Sequence, residues 1–401
     1  KIIAEEHKED IVALHSIRKK YLENTTNPEI LTESSGFVEK IRTRLKKEIP
    51  IEIENPLFIC CSFFFCWFDE HGNPLSQKVQ GFSGIISNPP WEAIKPIKKE
   101  FAQKDKGEMN VLQFEKWFSG KLKTDDGFKN SWEVYQNFYE RYNSYLSQQY
   151  HNQGIGDPNY FKLFIERDIE LLHEDGFINI LVPSGIQTDA GCSELRRLLI
   201  EQNKLFEMTS FENRGFTQIR NDEEISMKFF PDVDNRFKFT VLFGEKKNNT
   251  DPDKNFKARF YLQTPEEILD KSFISYDFNT LKRFSPINLS IMEFRSERDF
   301  ELCEKIRNDK TLLHEQGFKF RTEFHMTNDS HLFHADSPSE NFDKKRYLVL
   351  YEGKMIHQFH SKFGVHKYRV FEKDGKEQLL ETEKSRIKRA LGFENGLFEK
   401  F

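Results

Sequence analysis

The sequence predicts an α/β protein whose mostly parallel sheet is covered by helices, and three stretches carry that prediction. Residues 159–173 have the spacing of an amphipathic helix, stopped by Glu174-Asp175-Gly176, and the apolar run 177–183 follows as a buried strand. The pattern then repeats, with a helix over 194–202 and a strand over 205–211. Upstream, the short apolar segment 81–86 reads as another strand, ending in Ser87-Asn88-Pro89-Pro90-Trp91.

Taken in order, residues 4–24 and 36–48 have helical apolar spacing with charge on the opposite face, and Asn27-Pro28 separates them. The apolar run 56–68 ends at the turn cluster Asp69-Glu70-His71-Gly72-Asn73-Pro74. Residues 91–157 are polar and helical. Their aromatics, among them Trp117, Phe118, Trp132, Tyr135 and Tyr139, fall at helical spacing and read as a packed face. After Pro231-Asp232 a strand over 237–244 is expected to add at the sheet edge. The loop-like run after Glu245 places a domain boundary at 248, giving domains 1–248 and 249–401. The second contains short strands such as 346–351, isolated helices and many histidines.

The totals bound the class. A chain of 401 residues with 37% hydrophobic and 31% charged residues has a soluble globular composition and material for a real core, with 41 phenylalanines as its main filler. A net charge of −5 argues against a uniformly basic nucleic-acid binder but allows a local basic groove. The five cysteines, at 60, 61, 66, 192 and 303, lack zinc spacing and read as free thiols in a reducing compartment. The longest apolar run is too short to span a bilayer, and the first residues do not read as a leader, so cytoplasm is the expected location. His357-x-x-His360 has no acidic or cysteine partner at ligand spacing and reads as a solvated or DNA-facing loop; no metal is expected.

Asn88-Pro89-Pro90-Trp91 fits two readings. One is a proline turn after a strand. The other is methyl transfer to an amine. Both prolines fix φ and restrict the residue before them, so the loop is stiff. An aromatic amine is a poor nucleophile because its lone pair is delocalised into the ring. Acceptors from the Asn88 side chain and the Pro89 carbonyl would bind both N–H hydrogens and favour a tetrahedral nitrogen, while Trp91 stacks on the ring. Phe230-Pro231, brought near Trp91, would offer a second face for a base lifted out of a duplex.

Blocks along the whole chain resemble the adenine-N6 DNA methyltransferases of bacterial restriction–modification (type IIG-like) and BREX-type phage-defence systems. They are residues 84–91, 159–166, 176–185, Phe211-Glu212-Asn213-Arg214, Phe230-Pro231-Asp232-Val233, 237–239, 326–333 and 350–359. The resemblance implies a Rossmann-like class I methyltransferase sheet (its later part), followed by the start of a mixed α+β target-recognition region. It also implies S-adenosylmethionine as cofactor and double-stranded DNA as substrate, with a nuclease or other defence subunits as partners. By position, Asn88, Pro89, Pro90 and Trp91 match the catalytic loop, and Phe230 matches the aromatic that stacks with Trp91 on the flipped adenine. Phe164 matches a residue against the cofactor's adenine, with Asn88 also on the cofactor side, and a plain core role is the other reading of Phe164. Arg214, His331, Lys354 and His357 are implied to contact DNA.

Two departures qualify the resemblance. The family's Gly-rich cofactor loop is missing, and only Ser34-Ser35-Gly36-Phe37 resembles it, without a preceding strand or paired glycines. The nuclease segment and the rest of target recognition are also missing, so the chain is expected to be an internal piece of a longer protein. A catalytically inert DNA-binding or assembly module, and methylation of an RNA adenine or protein glutamine, are the rival functions.

Overall fold

The computed structural model describes residues 2–390 except 24–27, 50–56, 103–108, 110, 155, 221–222, 248–253, 309, 314, 319–321, 327, 337–342, 344–345, 358 and 361–362. The break at Asn27 and the expected boundary at 248 lie outside the described residues. Two compact units form, residues 1–308 and 309–401.

The first unit is built on a six-stranded sheet. Its strands are β1 (Phe82–Ser87), β2 (Leu172–Pro183), β3 (Lys204–Glu212), and, beyond a separate hairpin of β4 (Phe216–Arg220) and β5 (Glu223–Met227), β6 (Lys238–Glu245), β7 (Phe256–Leu262) and β8 (Ile274–Tyr276). The order across the sheet is β1-β2-β6-β3-β7-β8. The α/β class expected from the sequence is therefore present, with a mixed sheet. β1 pairs with β2 and β3 with β7 in parallel, while β6 runs antiparallel to both β2 and β3, and β8 antiparallel to β7.

Three expectations change. The sheet is mixed rather than mostly parallel, since three of its five strand pairings are antiparallel. The strand at 237–244 does not add at the edge. As β6 it lies between β2 and β3, hydrogen-bonded antiparallel to both along its length, with Phe239, Val241 and Phe243 on one face beside Leu181 and Phe211, and Thr240 and Leu242 on the other. The composition change at 248 is also not where the fold divides. β7 continues the same sheet, with Ala258 and Phe260 buried in the same core as Ile178, Ile180 and Leu242.

That core covers one face. The helix Tyr160–Leu171 supplies Phe161, Ile165 and Ile169, residues 186–200 supply Ile186, Leu195 and Leu199, and the helix Phe278–Phe284 supplies Phe278 and Leu281. Burying alternating residues of the strands against helical stripes is the main stabilising term. Arg196 ties this layer together. It is 1% exposed, and its guanidinium donates to the carbonyls of Ile186 at 2.8 Å, Asp189 at 2.9 Å and Asn288 at 2.6 Å. Burial lowers its pKa, yet a guanidinium stays charged across the physiological range.

The aromatics of residues 91–157 form packing clusters, as expected. Phe114, Phe118 and Trp132 are buried together against Phe101 and Phe128, and Tyr139, Tyr142 and Tyr145 pack around Ile94, Leu146 and Leu163. The helices Lys8–Glu23 and Pro28–Lys46 enclose a separate small core with Cys61, Phe64 and Phe68. All five cysteines are free. Among the described residues no helix is long and apolar enough to cross a membrane.

The second unit holds a three-stranded antiparallel sheet, β9 (Phe333–Ala335), β10 (Tyr347–Val349) and β11 (Tyr368–Phe371), in the order β10-β11-β9, and the helix Glu372–Ala390. The strand expected over 346–351 is thus formed by its middle residues.

Replacing Arg196 by Met takes the charged donor from three carbonyls, that of Ile186 in a fully buried hydrogen bond. It should destabilise the chain by about 2–3 kcal/mol. Urea denaturation of both forms measures this, and an unchanged midpoint would remove Arg196 as the tie between these segments.

Candidate active site

β1, β2, β3 and β7 run in one direction, so their carboxyl ends (Ser87, Pro183, Glu212 and Leu262) share one edge of the sheet. Ligands of open α/β sheets bind outside such an edge. Asn88 to Trp91 leave β1 there, with Asn88 exposed, Pro89 buried and Trp91 half-buried.

Pro89 and Pro90 have no N–H to offer, so the loop is held through its carbonyls and flanks. Asn159 caps the helix Tyr160–Leu171 by accepting from the Phe161 N–H at 3.2 Å, and its Nδ2 donates to the Trp91 carbonyl at 2.9 Å. The Tyr160 N–H donates to the Glu92 carbonyl at 3.2 Å, and the Ile94 N–H donates to the Pro158 carbonyl at 2.8 Å. At the other end of the loop, the Ser87 hydroxyl donates to Asp168 Oδ2 at 2.7 Å. Asp168 is buried, and that burial raises its pKa against the opposing effects of Ser87 and Arg167.

Phe230 arrives from a distant part of the chain. Its ring meets Trp91 edge to face, with centroids 5.4 Å apart, and rests on Phe239 at 5.1 Å. Phe229 packs on both Phe211 and Phe239, which are stacked with each other at 5.0 Å. Asn213 fixes this turn. Its Oδ1 accepts from the Phe230 N–H at 3.0 Å, and its Nδ2 donates to the carbonyls of Phe230 at 3.1 Å and Val233 at 3.0 Å. The structure thus brings Asn88 to Trp91 and Phe230 to one place. The two rings touch, so a planar base would take the place of their mutual contact. Trp91 Nε1 is buried with no acceptor among the described residues, a donor left for a bound group.

The other expected site residues are spread out. Phe164 is 39% exposed on the helix Tyr160–Leu171, whose residues 161, 163 and 165 are buried, so it is not a core side chain. Arg214 follows β3 and pairs with Glu212 at 3.0 Å. His331, Lys354 and His357 belong to the second unit and are exposed, and Lys354 pairs with Glu352 at 2.7 Å. Among the described residues no group of three acidic, histidine or cysteine side chains is placed to hold a metal.

The residues fit S-adenosylmethionine only in part. Asn88 and the exposed Phe164 ring suit an adenosyl group, but Ser34 to Phe37 lie inside the helix Pro28–Lys46 and offer no Gly-lined turn after a strand. No step through the cofactor is derived from this chain.

Sequence reasoning gave Asn159 and Asn213 no role of their own. Asn159 was legible as a helix cap, and its second hydrogen bond to Trp91 was not. Asn213 holds a turn 17 residues further along the chain, a pairing that no local pattern encodes.

Comparison with known proteins agrees with the family read from the residues. Residues 128–216 match the family described as Eco57I restriction-modification methylase. No curated protein matches the chain. Solved structures with partial likeness include the ATP-dependent Type ISP restriction-modification enzyme LlaBIII bound to DNA, at 12% identity and TM-score 0.26, covering 46% of this chain and 10% of that one. A structure of a type I restriction-modification system has 13% identity and TM-score 0.30, covering 58% and 46%. A type I methyltransferase subunit from Streptococcus thermophilus has 15% identity and TM-score 0.26, covering 55% and 43%. Scores this low carry no argument. The chain spans 10% to 46% of the length of these three proteins.

Two outcomes follow from the site's geometry. Asn213→Ala should cost about 1–2 kcal/mol by leaving the Phe230 N–H without its acceptor, while the Phe230 and Val233 carbonyls keep the Val233 N–H and Lys228 as donors; urea denaturation reads the loss. Asp168 supplies a pH dependence. Its folded pKa lies above the ordinary 3.8, so the native state holds the proton longer than the unfolded chain. The wild type should therefore lose stability as pH rises from 3.8 through the raised value, and Asp168→Asn should not show that loss. Parallel stability–pH curves for the two forms would sink the assignment.

Proposed function

We propose that the chain forms the acceptor-binding half of a DNA adenine-N6 methyltransferase of a restriction–modification or phage-defence system, with S-adenosylmethionine as the methyl donor of the complete protein. One observation carries the reading. The Asn88-Pro89-Pro90-Trp91 loop stands at the carboxyl edge of the sheet with Phe230 against Trp91. The match of residues 128–216 to a restriction-modification methylase family supports it.

The roles follow from chemistry. A target adenine leaves the duplex and stacks between Trp91 and Phe230 in place of their edge contact. The Asn88 side chain and the Pro89 carbonyl accept the two exocyclic N–H hydrogens. That draws the lone pair out of the ring and prepares the nitrogen for direct attack, without a strong base or a covalent intermediate. The prolines keep both acceptors fixed, so little reorganisation accompanies the reaction. Arg214, together with His331, Lys354 and His357 of the second unit, is assigned to DNA contact. With β7 and β8 in the six-stranded sheet, we assign residues 1–308, rather than 1–248, to the catalytic part and 309–401 to the beginning of target recognition.

Methyl incorporation into DNA by the full-length protein tests this reading. Asn88→Ala should lower the rate by at least about a hundredfold, and an unchanged rate ends the catalytic assignment. A second reading, a DNA-binding module without catalysis, is favoured by the helical placement of Ser34 to Phe37. Calorimetric titration of the 401-residue chain with S-adenosylmethionine separates the two, since tight binding counts against the inert module.

A further inference from the structure

The second unit exposes an aromatic side chain in an unusual setting. Phe359 is 99% exposed and has a φ of +62°. A bulky residue is strained in that left-handed region, and such strain persists only where the surroundings impose it. Here a tight hairpin imposes it. The His357 N–H donates to the His360 carbonyl at 2.9 Å, and the His360 N–H donates back to the His357 carbonyl at 2.8 Å, with Phe359 in the turn.

The base of the hairpin is anchored. Met355 is 5% exposed, and its carbonyl accepts from the N–H groups of Phe363 at 3.0 Å and Gly364 at 3.3 Å. Gly364 approaches so closely that a Cβ there would lie 2.7 Å from the Lys354 carbonyl. The ring of Phe363 lies beside His357, with centroids 4.8 Å apart. The paired hydrogen bonds of His357 and His360 and the anchor at Met355 thus hold out a ring that buries nothing within its own unit, at a cost in exposed apolar surface and backbone strain.

The surrounding charge says what the ring meets. Residues 353–371 contain four Lys or Arg and three His and no Asp or Glu, within a chain of net charge −5. Two carboxylates from outside the segment answer part of that charge, Glu352 at Lys354 and Asp336 at His366 and Arg369. An apolar projection on a segment whose own groups are only cationic or neutral suits a polyanion with apolar steps between its charges. That describes a nucleic-acid duplex.

We propose that Phe359 is a wedge that inserts between adjacent base pairs of duplex DNA, while the basic residues of 353–371 hold the flanking phosphates. This inference rests on the DNA-binding reading above and adds a deforming contact to it. Unstacking a step at the wedge would let the duplex yield where the chain grips it, independently of the pocket at Trp91.

The test uses the full chain and short duplexes of random sequence, with two readouts. Fluorescence anisotropy reports binding, and permanganate oxidation of thymines, mapped by sequencing, reports unstacked steps wherever they fall. Phe359→Trp keeps a wedge, whereas Phe359→Asn removes the ring and tolerates the left-handed backbone better than Phe does. Phe230→Ala serves as the background in which pocket-driven flipping is removed. In that background the protein with Phe359 intact and the Phe359→Trp variant should both bind and raise permanganate reactivity. Phe359→Asn should bind roughly tenfold more weakly and give no reactivity. Equal binding and equal reactivity in all three overturn the wedge while leaving DNA binding intact, and make Phe359 an anchor for a protein partner. No binding by any of them overturns the DNA reading and the wedge with it.

Discussion

A loop with two consecutive prolines has lost two of the N–H groups by which backbone normally ties itself to its neighbours. The chain meets that constraint by bringing hydrogen-bond partners to the loop and its flanks from outside. Asn159 reaches the Trp91 carbonyl, Tyr160 reaches the Glu92 carbonyl, and Ser87 is anchored on Asp168. All three outside groups belong to one cap and one helix. The helix Tyr160–Leu171 is also the element whose other face fills the main core, with Phe161, Ile165 and Ile169. Packing energy is in this way converted into positional accuracy at the exposed Asn88.

The same division of labour holds on the Phe230 side. Four phenylalanines, at 211, 229, 230 and 239, form a connected aromatic stack, and Asn213 supplies the directional bonds that an apolar stack lacks. Hydrophobic contact alone would hold Phe230 near Trp91 without fixing its ring. Three hydrogen bonds from one side chain to the turn's backbone restrict it. A sequence so rich in Phe would otherwise be prone to alternative packings of similar energy.

Local signals explain what the sequence made legible. The helix–strand succession from 159 to 212, the stiff loop after β1 and the aromatic packing of residues 91–157 all follow from periodicity or proline stereochemistry, and the structure contains them. The central position of β6 was not legible. Period-two alternation gives a strand's two faces but says nothing about its neighbours, and β6 pairs with β2 about sixty positions upstream. The continuation of the sheet past 248 was missed for a related reason. A polar loop at 245–254 has the composition of a linker whether the next strand starts a new body or rejoins the old one. At the site, Phe230 stands beside Trp91 as the sequence led one to expect. Asn213 was invisible as a clamp because its partners are set by tertiary contact.

The central place of β6 also bears on how the unit can assemble. β2 and β3 do not pair with each other; between them lies β6, a strand C-terminal to both. During synthesis the strands up to residue 212 emerge before β6, so the edges of β2 and β3 that it joins have no partner yet. The sheet closes only when residues 238–245 have emerged and threaded between them. Such non-local closure is slow and leaves aggregation-prone edges open in the interval. The turn that carries Phe230 lies just ahead of β6, so the aromatic contact at Trp91 and the joining of β2 to β3 through β6 are coupled in folding.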